Sequence, residues 1–375
     1  MHNSLKWLVG SALAVVLTAG ISACGGTPEQ GEQGKNAIEV YDKFANMAGD
    51  VRHEELVSAA KKEGKLVIYS GGATMTELLA PAFEKKYGID VESIWPGTGE
   101  KLRQRVIQEQ QANQTKNDIL EADEFDMELV YSAMGIFEPY RSEIREGFPE
   151  EMIYDDWTGT YQYVLTPAWN TNKISKDELP TSFEELADPK WKDKLGVVIG
   201  DYQWYLTLHK YYTERGMSDE DFVKMFKGIV ANSASTESHS GSAGRLAAGE
   251  FTLIPNEYEN VVLREAAAGA PLALGPVGAP LVTFVSGAAT MKNAQHPAAA
   301  TLFMDWYLTE GQSLVVDDFE TPANIAALGD DVPSWMHDQD LLVPVPTRDL
   351  KNIEQVRAWQ DAFQNLLDGS GDVLP

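Results

Sequence analysis

The fold of this chain is decided by residues 66–74, Leu66-Val67-Ile68-Tyr69-Ser70-Gly71-Gly72-Ala73-Thr74. The continuous apolar run at its start is typical of a buried strand, and the two glycines let the chain turn. Apolar residues at positions 75, 78, 79, 82 and 83 then predict a helix. Thr74 and Glu77 form a capping-box pattern at the start of that helix, and Gly88 predicts its end. A strand, a glycine loop and a helix in this order indicate an α/β unit.

The same rhythm recurs along the chain and predicts two lobes. Gly64 predicts the end of a helix before this unit, and a strand at 89–94 leads to Thr98 and a further helix. A strand-like run at 161–169 precedes a second series of strands and helices between 181 and 268. In that series, helices are predicted to open at 181–185 and after Ser218, and a strand at 251–254 is predicted to lead to a helix at 257–268. The proline- and glycine-rich stretch 271–280 predicts the return crossing. We therefore expect an α/β protein with two mostly parallel sheets flanked by helices and joined by two extended crossings. Ligands of such sheets bind outside the carboxyl ends of the strands, so we expect the site in the cleft between the lobes.

The length of the chain fits this division, because about 340 residues exceed what one core usually holds. We predict a signal peptide over 1–23 and a tether with a short helix over 24–50. The first lobe is predicted over 51–160 plus 277–330, and the second over 161–276. The remaining residues, 331–375, are predicted to pack on the lobes through an amphipathic helix.

Cys24 is the only cysteine and follows a 15-residue apolar run, Trp7 to Ile21, with Lys6 before it. That run is shorter than the ~20 residues that span a bilayer, and it has the shape of a secretory signal. Ile21-Ser22-Ala23-Cys24 resembles a bacterial lipobox, which implies cleavage before Cys24 and lipidation of its thiol. We expect an exported protein held at the outer side of the cell membrane by this anchor alone. An ordinary signal peptide remains the alternative.

The charge of the chain restricts its partners. There are 30 basic and 57 acidic residues, and removing residues 1–23 takes away only Lys6, so the mature balance is 29 minus 57, or −28. Such a surface repels nucleic acid and anionic headgroups, and nucleic acid is not expected as a partner. With Cys24 lipidated, no disulfide is available, and we expect a monomer held by core packing.

Motifs of an enzyme are absent from the sequence. It has no Gly-x-Ser-x-Gly elbow, no His-Glu-x-x-His, no P-loop and no dinucleotide-binding glycine pattern. The six histidines do not pair at a metal-ligand spacing, and only His239 lies in a loop expected at the cleft, where solvent exposure is the alternative. We expect a binding protein without a cofactor; an exported hydrolase and a structural lipoprotein remain alternatives.

Four motifs identify a family. Residues 55–70 (ELVSAAKKEGKLVIYS) resemble the opening of extracellular solute-binding proteins of the ferric-ion-binding type. Residues 180–192 (PTSFEELADPKWK), 247–251 (AAGEF) and 291–300 (MKNAQHPAAA) are similar to further motifs of that family in the same order. The resemblance covers roughly residues 50–320. It implies a type II-like periplasmic-binding-protein fold with a hinged cleft, and the permease of an ABC importer as partner.

The resemblance also implies a ligand. In the ferric-ion branch, adjacent tyrosines of the second lobe bind iron with a carboxylate, and often a histidine, of the first lobe; these are the hard ligands that ferric iron prefers. Here the tyrosine position holds Tyr258 between Glu257 and Glu259, and the histidine position holds none. The carboxylate position keeps Asp123 and Glu124, and the stretch near residue 200 adds Tyr202. The resemblance thus implies ferric iron as transported ligand, with Tyr258 and Glu124 as its metal ligands.

Two other ligand classes remain open. Three predicted helix starts would bring backbone N–H groups and the hydroxyls of Thr74, Thr98 and Ser240 to the cleft, where a phosphonate, an organic phosphate or a carboxylate would bind. For each hydroxyl, capping of its own helix is the alternative role. An organic cation such as a polyamine would instead stack on aromatic residues near the acidic cluster, namely Trp95, Tyr202 and Trp204.

Overall fold

The computed structural model describes residues 30–236, 238–277, 280–324 and 342–375. The predicted signal peptide lies outside these ranges, as do residues 24–29 of the predicted tether, including Cys24. The helices are α1 (Gln30–Ala45), α2 (Gly49–Glu63), α3 (Ala80–Tyr87), α4 (Gly99–Gln111), α5 (Glu124–Asp126), α6 (Tyr202–Thr213), α7 (Asp219–Ala231), α8 (His239–Ala247), α9 (Glu259–Ala267), α10 (Pro297–Tyr307), α11 (Gly311–Asp317) and α12 (Ile353–Asp368). The strands are β1 (Lys65–Ser70), β2 (Asp90–Ile94), β3 (Ile119–Asp123), β4 (Phe137–Glu138), β5 (Thr158–Asn170), β6 (Leu195–Val198), β7 (Ser233–Thr236), β8 (Leu253–Tyr258), β9 (Leu272–Leu274), β10 (Leu281–Met291), β11 (Thr321–Pro322) and β12 (Leu342–Pro344).

The strands form one mixed sheet in the order β2-β1-β3-β10-β5-β8-β6-β7. Its two ends are parallel, because β1 pairs in parallel with β2 and β3, and β6 with β7 and β8. Its centre is antiparallel, because β10 and β5 pair with each other and with the flanking strands β3 and β8. The predicted α/β class is confirmed. The parallel parts correspond to the two predicted sheets, which the antiparallel centre joins into one.

The two crossings of the chain are the long strands β5 and β10. The first was predicted at 161–169 and lies within β5. The prediction of the return crossing at 271–280 is wrong, because that stretch contains β9, which pairs with β5, and the chain returns along β10. The residues of β10 are buried throughout. At Gly287 a Cβ atom would lie 2.2 Å from the Trp157 ring, so only glycine fits this close approach of β10 to the first lobe.

Two large apolar cores lie on either side of these crossings. The first contains Leu66, Ile68 and Phe303 and is built from β1, β3, α3 and α10 together with residues before β5. The second contains Phe183 and Trp204 and is built chiefly from α6, α7 and α12. We call the parts of the chain around these cores the first and the second lobe. The predicted domain boundaries stay a prediction.

The C-terminal segment packs on the second lobe. The side chains of Val356, Phe363 and Leu366 on α12 are buried in the second core. The Tyr205 hydroxyl of α6 donates a hydrogen bond of 2.8 Å to the carbonyl oxygen of Val373. Residues 331–341 of the predicted segment lie outside the described ranges.

The helix ends that were predicted from single glycine and serine residues are confirmed. Gly64 and Gly88 end their helices in the left-handed conformation with φ of 69°. Ser218 caps α7 by accepting a 3.1 Å hydrogen bond from the Asp221 backbone N–H. The capping box at Thr74 is wrong, because Thr74 is itself helical and its hydroxyl lies 2.7 Å from an oxygen of Asp318. This contact is made by residues 244 positions apart.

Two other element boundaries also differ from the prediction. The helix expected to open at 181–185 is a short 3₁₀ turn, Glu184–Ala187. The strand expected at 251–254 runs further, to Tyr258, and α9 begins only at Glu259. Residues 257 and 258 therefore lie on a strand, not in the first turn of a helix.

Candidate functional site

The candidate site lies between the two lobes, where strands of the sheet end. From the first lobe, Gly72 follows β1 and Asp123 ends β3. From the second lobe, Tyr202 follows β6 and Tyr258 ends β8. The lobes meet here, because the ring of Phe125 lies 5.6 Å from that of Tyr202. The sequence predicted this region from the positions of the strand ends.

Two aromatic rings pack against Tyr258. Its ring stacks on the His239 ring, with centroids 3.6 Å apart and planes inclined by 24°. The Tyr163 ring lies 5.1 Å away at 30° and stacks in turn on Phe284 at 4.9 Å. Burial raises the pKa of the Tyr258 phenol well above its usual value, and the nearby charges of Asp201, Asp123 and Glu257 raise it further. Tyr258 is therefore a neutral phenol that only a strong cation would deprotonate.

His239 is held between two carboxylates. Its Nδ1 lies 2.7 Å from Glu257 Oε1, and its Nε2 lies 3.1 Å from Asp201 Oδ1. Burial by itself lowers the pKa of this imidazole, but Asp201 and Glu257 outweigh it and raise the pKa to about 10. Both ring nitrogens therefore carry protons and donate. Of the two predicted alternatives, a place at the cleft and exposure to solvent, His239 takes the first. It is a largely buried imidazolium, and both of its ring nitrogens are hydrogen-bonded.

The carboxylates that complete this cluster are themselves anchored. Ser242 donates its hydroxyl hydrogen to Glu257, and Asn256 Nδ2 donates to Asp201 Oδ2 at 2.7 Å. The sequence did not predict that Asp201 would bind His239, or that Asn256 would bind Asp201. The sequence signal for this contact is that Asp201 follows β6 and therefore lies at the same sheet edge as Glu257.

The two carboxylates of the first lobe point in different directions. Glu124 accepts a hydrogen bond of 3.2 Å from the backbone N–H of Val285 on β10, and burial raises its pKa to about 7. Asp123 accepts from the N–H groups of Phe125 and Asp126 and caps α5, at 3.0 and 3.1 Å. The charge of Asp123 is among those that raise the pKa of Tyr258. Glu124 is thereby held against β10, and its predicted role as a metal ligand together with Tyr258 stays a prediction.

Glu259 faces the crossing strands instead of the cleft. Its Oε2 accepts a 2.8 Å hydrogen bond from the Val164 N–H, and its Oε1 accepts from the Thr321 hydroxyl at 3.1 Å. Burial raises the pKa of Glu259 to about 8. This residue connects β5 with β11 and is a structural neighbour of Tyr258.

The hydroxyls proposed for an anion are not gathered into a site. Thr74 contacts the carboxylates of Asp318 and Glu320. Thr98 is exposed and accepts the Lys101 N–H at 3.3 Å, which is the capping role. Ser240 is exposed as well. Thr74 and Thr98 are thus already hydrogen-bonded, and the role of the three hydroxyls in binding an anion stays a prediction.

The aromatic residues proposed for an organic cation are also dispersed. Trp95 is exposed, Trp204 is in the second core, and Tyr202 packs against Phe125. Tyr163, Tyr258 and Phe284 form the aromatic group that is present at the cleft. Within the described ranges, no group of three or more histidine, cysteine, aspartate or glutamate side chains is arranged to hold a metal ion.

The raised pKa of Glu259 predicts a pH-dependent stability. The folded protein keeps this proton up to about pH 8, whereas the unfolded chain releases it near pH 4.3. The free energy of unfolding should therefore fall as the pH rises through this interval. We expect Glu259→Gln, which resembles the protonated acid, to remove part of this slope and to stabilise the protein at pH 8.5 by on the order of 1 to 3 kcal/mol. Urea unfolding at several pH values measures it, with exposed Glu54→Gln as control; equal slopes in the parent and Glu259→Gln would contradict it.

Comparison with known proteins agrees with this architecture. The sequence profile of the family described as bacterial extracellular solute-binding protein matches residues 131–340, more than half of the chain. The chain is 26% identical to iron uptake protein A1 of Synechocystis sp., over 84% of each protein. Iron-bound HitA of Pseudomonas aeruginosa has a similar fold, with a TM-score of 0.65, 21% identity, and 80% of this chain and 99% of that one covered. MotA of A. tumefaciens B6, solved with glucopine, gives a TM-score of 0.63 at 18% identity, over 81% and 99% of the two chains.

This chain belongs to the bacterial extracellular solute-binding protein family. The predicted family and the predicted two-lobed periplasmic-binding-protein fold are confirmed. Family and fold are those of exported proteins that bind solutes for ABC importers, and not those of enzymes. Among the helices of the described residues, none has the length and apolarity that a membrane span requires.

Proposed function

We propose that this protein captures ferric iron in the cleft between its lobes and delivers it to the permease of an ABC importer. The observation that carries the proposal is the environment of Tyr258, a phenol at a strand end surrounded by the charges of Asp201, Asp123 and Glu257. These three carboxylates outnumber the one imidazolium, His239, that pairs with two of them, and the remaining negative charge favours a small cation. The resemblance to iron uptake protein A1 of Synechocystis sp. supports the same ligand.

The chemistry requires the loss of one proton. Ferric iron is a hard cation that prefers phenolate and carboxylate oxygen. On binding, it would take the place of the Tyr258 hydroxyl proton, and its charge would offset the repulsion from the surrounding carboxylates. Because the ligand must be deprotonated, the affinity should fall as the pH is lowered. His239 does not serve as a ligand in this proposal, since both of its ring nitrogens already donate to carboxylates.

Capture would follow from closure of the cleft. Tyr258 belongs to the second lobe and Asp123 to the first, so iron bound between them stabilises the closed arrangement by its differential affinity for it. The remaining coordination positions would be filled by water or by a small oxyanion. The permease then has only to distinguish the closed protein from the open one.

The proposal is tested by titrating the purified, metal-free protein with ferric nitrilotriacetate. We expect one equivalent to produce a visible phenolate-to-iron charge-transfer band and a rise in melting temperature, as ligand binding to the folded state requires. A protein that stays colourless and keeps its melting temperature at saturating ferric nitrilotriacetate would overturn the iron assignment.

An organic cation is the second candidate, favoured by the stacked rings of Tyr163, Tyr258 and Phe284 beside the acidic residues. A cation over such rings gains on the order of 0.5 to 2 kcal/mol. Spermidine would then raise the melting temperature while ferric nitrilotriacetate would not. An organic anion has less support, because His239 and Arg103 are both paired with carboxylates.

We also propose that Cys24 is lipidated and anchors the exported protein to the outer side of the cell membrane. The motif Ile21-Ser22-Ala23-Cys24 supports this. Cys24→Ala should abolish acylation and leave the protein released or uncleaved, which mass spectrometry and membrane fractionation measure. Cys24→Ala protein that still carries acyl chains would contradict the anchor.

A further inference from the structure

His239 lies beside the proposed ligand residue without being available as a ligand. Its two ring nitrogens are hydrogen-bonded, one to Glu257 at 2.7 Å and the other to Asp201 at 3.1 Å. These three residues come from three elements of the second lobe: the end of β8, the residue before α6 and the start of α8. Two hydrogen bonds at opposite edges of a planar ring fix both its position and its plane.

The carboxylates that hold His239 are fixed in turn. Asp201 accepts a 2.7 Å hydrogen bond from Asn256 Nδ2, whose amide oxygen accepts the Val198 N–H at 3.1 Å. Glu257 accepts from the Ser242 hydroxyl and, at 3.0 Å, from the Tyr258 N–H. All of these side chains are buried. The hydrogen bonds that hold His239 are therefore anchored to the backbone of β6 and β8 and do not depend on a flexible surface group.

The fixed His239 ring restricts the movement of the Tyr258 ring. The imidazole face lies 3.6 Å from the Tyr258 ring, and the Tyr163 ring lies 5.1 Å from it. The Tyr258 ring thus packs against two rings, of which His239 makes the closer contact. Pre-organising a binding group in this way reduces the entropy that ligand binding must remove.

We propose that His239 is a positioning residue: held by Asp201 and Glu257, its ring fixes the plane of the Tyr258 phenol and so sets the direction in which its oxygen meets the ligand. This inference rests on the proposed role of Tyr258. It assigns to His239 no direct contact with the ligand. It also gives Asp201 and Glu257 a role in binding that is exerted through His239.

The first experiment needs no ligand. Aromatic NMR of the metal-free protein, with labelled tyrosine, should show two distinct signals for the two edges of the Tyr258 ring, because stacking slows its rotation. The Tyr258 signals among those of the 14 tyrosines are identified by their loss in Tyr258→Phe. In His239→Gln these two signals should merge into one average signal. Averaged signals already in the parent, or distinct signals in His239→Gln, would overturn the proposal.

The second experiment uses ferric nitrilotriacetate as probe. His239→Gln should weaken its binding by about tenfold or more, as loss of a residue that orients a metal ligand does, and should broaden the charge-transfer band. The matched control is His209→Gln, since His209 of the same lobe also bonds an aspartate, Asp219 at 2.8 Å, and packs on Phe222 and Trp359. A purely structural role would leave the band of the folded variant unchanged, and that result would overturn the proposal.

A third variant tests the proposal in case His239→Gln does not fold. Asp201→Asn removes one of the two charges on His239 but leaves the Glu257 contact, so the fold should persist. Its Tyr258 signals should be partly averaged; signals identical to those of the parent would overturn the proposal. Should the parent give no charge-transfer band with iron, the iron assignment fails, while the NMR comparison still decides whether His239 fixes Tyr258.

Discussion

Replacing Tyr258 by phenylalanine is expected to abolish the charge-transfer band and to reduce ferric nitrilotriacetate binding by a factor of at least about a hundred. The reason is that the phenolate is the strongest oxygen donor that the described cleft offers, and the phenyl ring offers none. The fold should persist, because the substitution removes one hydroxyl and leaves the ring stacked on His239. Absorption titration and calorimetry measure both quantities.

The control for this prediction is Tyr211→Phe, a partly buried tyrosine of the same lobe that stacks on Arg215. It should bind iron like the parent. The affinity of the parent should also fall as the pH is lowered, because binding releases the Tyr258 proton. If Tyr258→Phe binds iron as tightly as Tyr211→Phe, Tyr258 is not a ligand. If only spermidine binds, Tyr258→Phe should cost no more than on the order of 1 kcal/mol.

The largest loss of stability is expected from Asp305→Ala in the first lobe. Asp305 is buried on α10 and binds the guanidinium of Arg52 through both oxygens, and it also accepts the hydroxyl hydrogen of Tyr140. Removing it leaves the buried charge of Arg52 without a partner. Breaking a buried pair in this way costs about 3 to 5 kcal/mol. The pair joins α2 to α10, and Arg52 Nε also donates to the Phe44 carbonyl oxygen of α1 at 3.0 Å.

Urea unfolding of Asp305→Ala measures this loss. Two further variants show whether the unpaired charge is responsible. Glu55→Ala breaks the exposed pair with Lys43 and should change stability by less than about 1 kcal/mol. The double substitution Arg52→Met with Asp305→Leu should recover much of the loss, because it removes both charges. A double variant as unstable as Asp305→Ala would show that packing, and not the charge, is decisive.

The sequence alone determined the class of the fold and the edge of the sheet where the site lies. The apolar runs of β1 and β5, the glycines that end α2 and α3 and the motifs of the family are local properties, and each predicted its element. The position of Tyr258 after an apolar run was local as well. It therefore placed this residue at a strand end, although the strand proved longer than expected.

Only the tertiary structure decided which side chains meet at that edge. The charge of Asp123 raises the pKa of Tyr258, whereas Glu124 accepts a hydrogen bond from the Val285 N–H on β10. His239 pairs with Asp201 and Glu257 across 38 and 18 residues, and Thr74 meets Asp318 instead of capping its helix. The spacing of residues along the chain carries no information about such contacts. Hydrogen bonds between buried polar groups distant in sequence form only once packing has removed those groups from water, so the arrangement of a site follows from the complete fold.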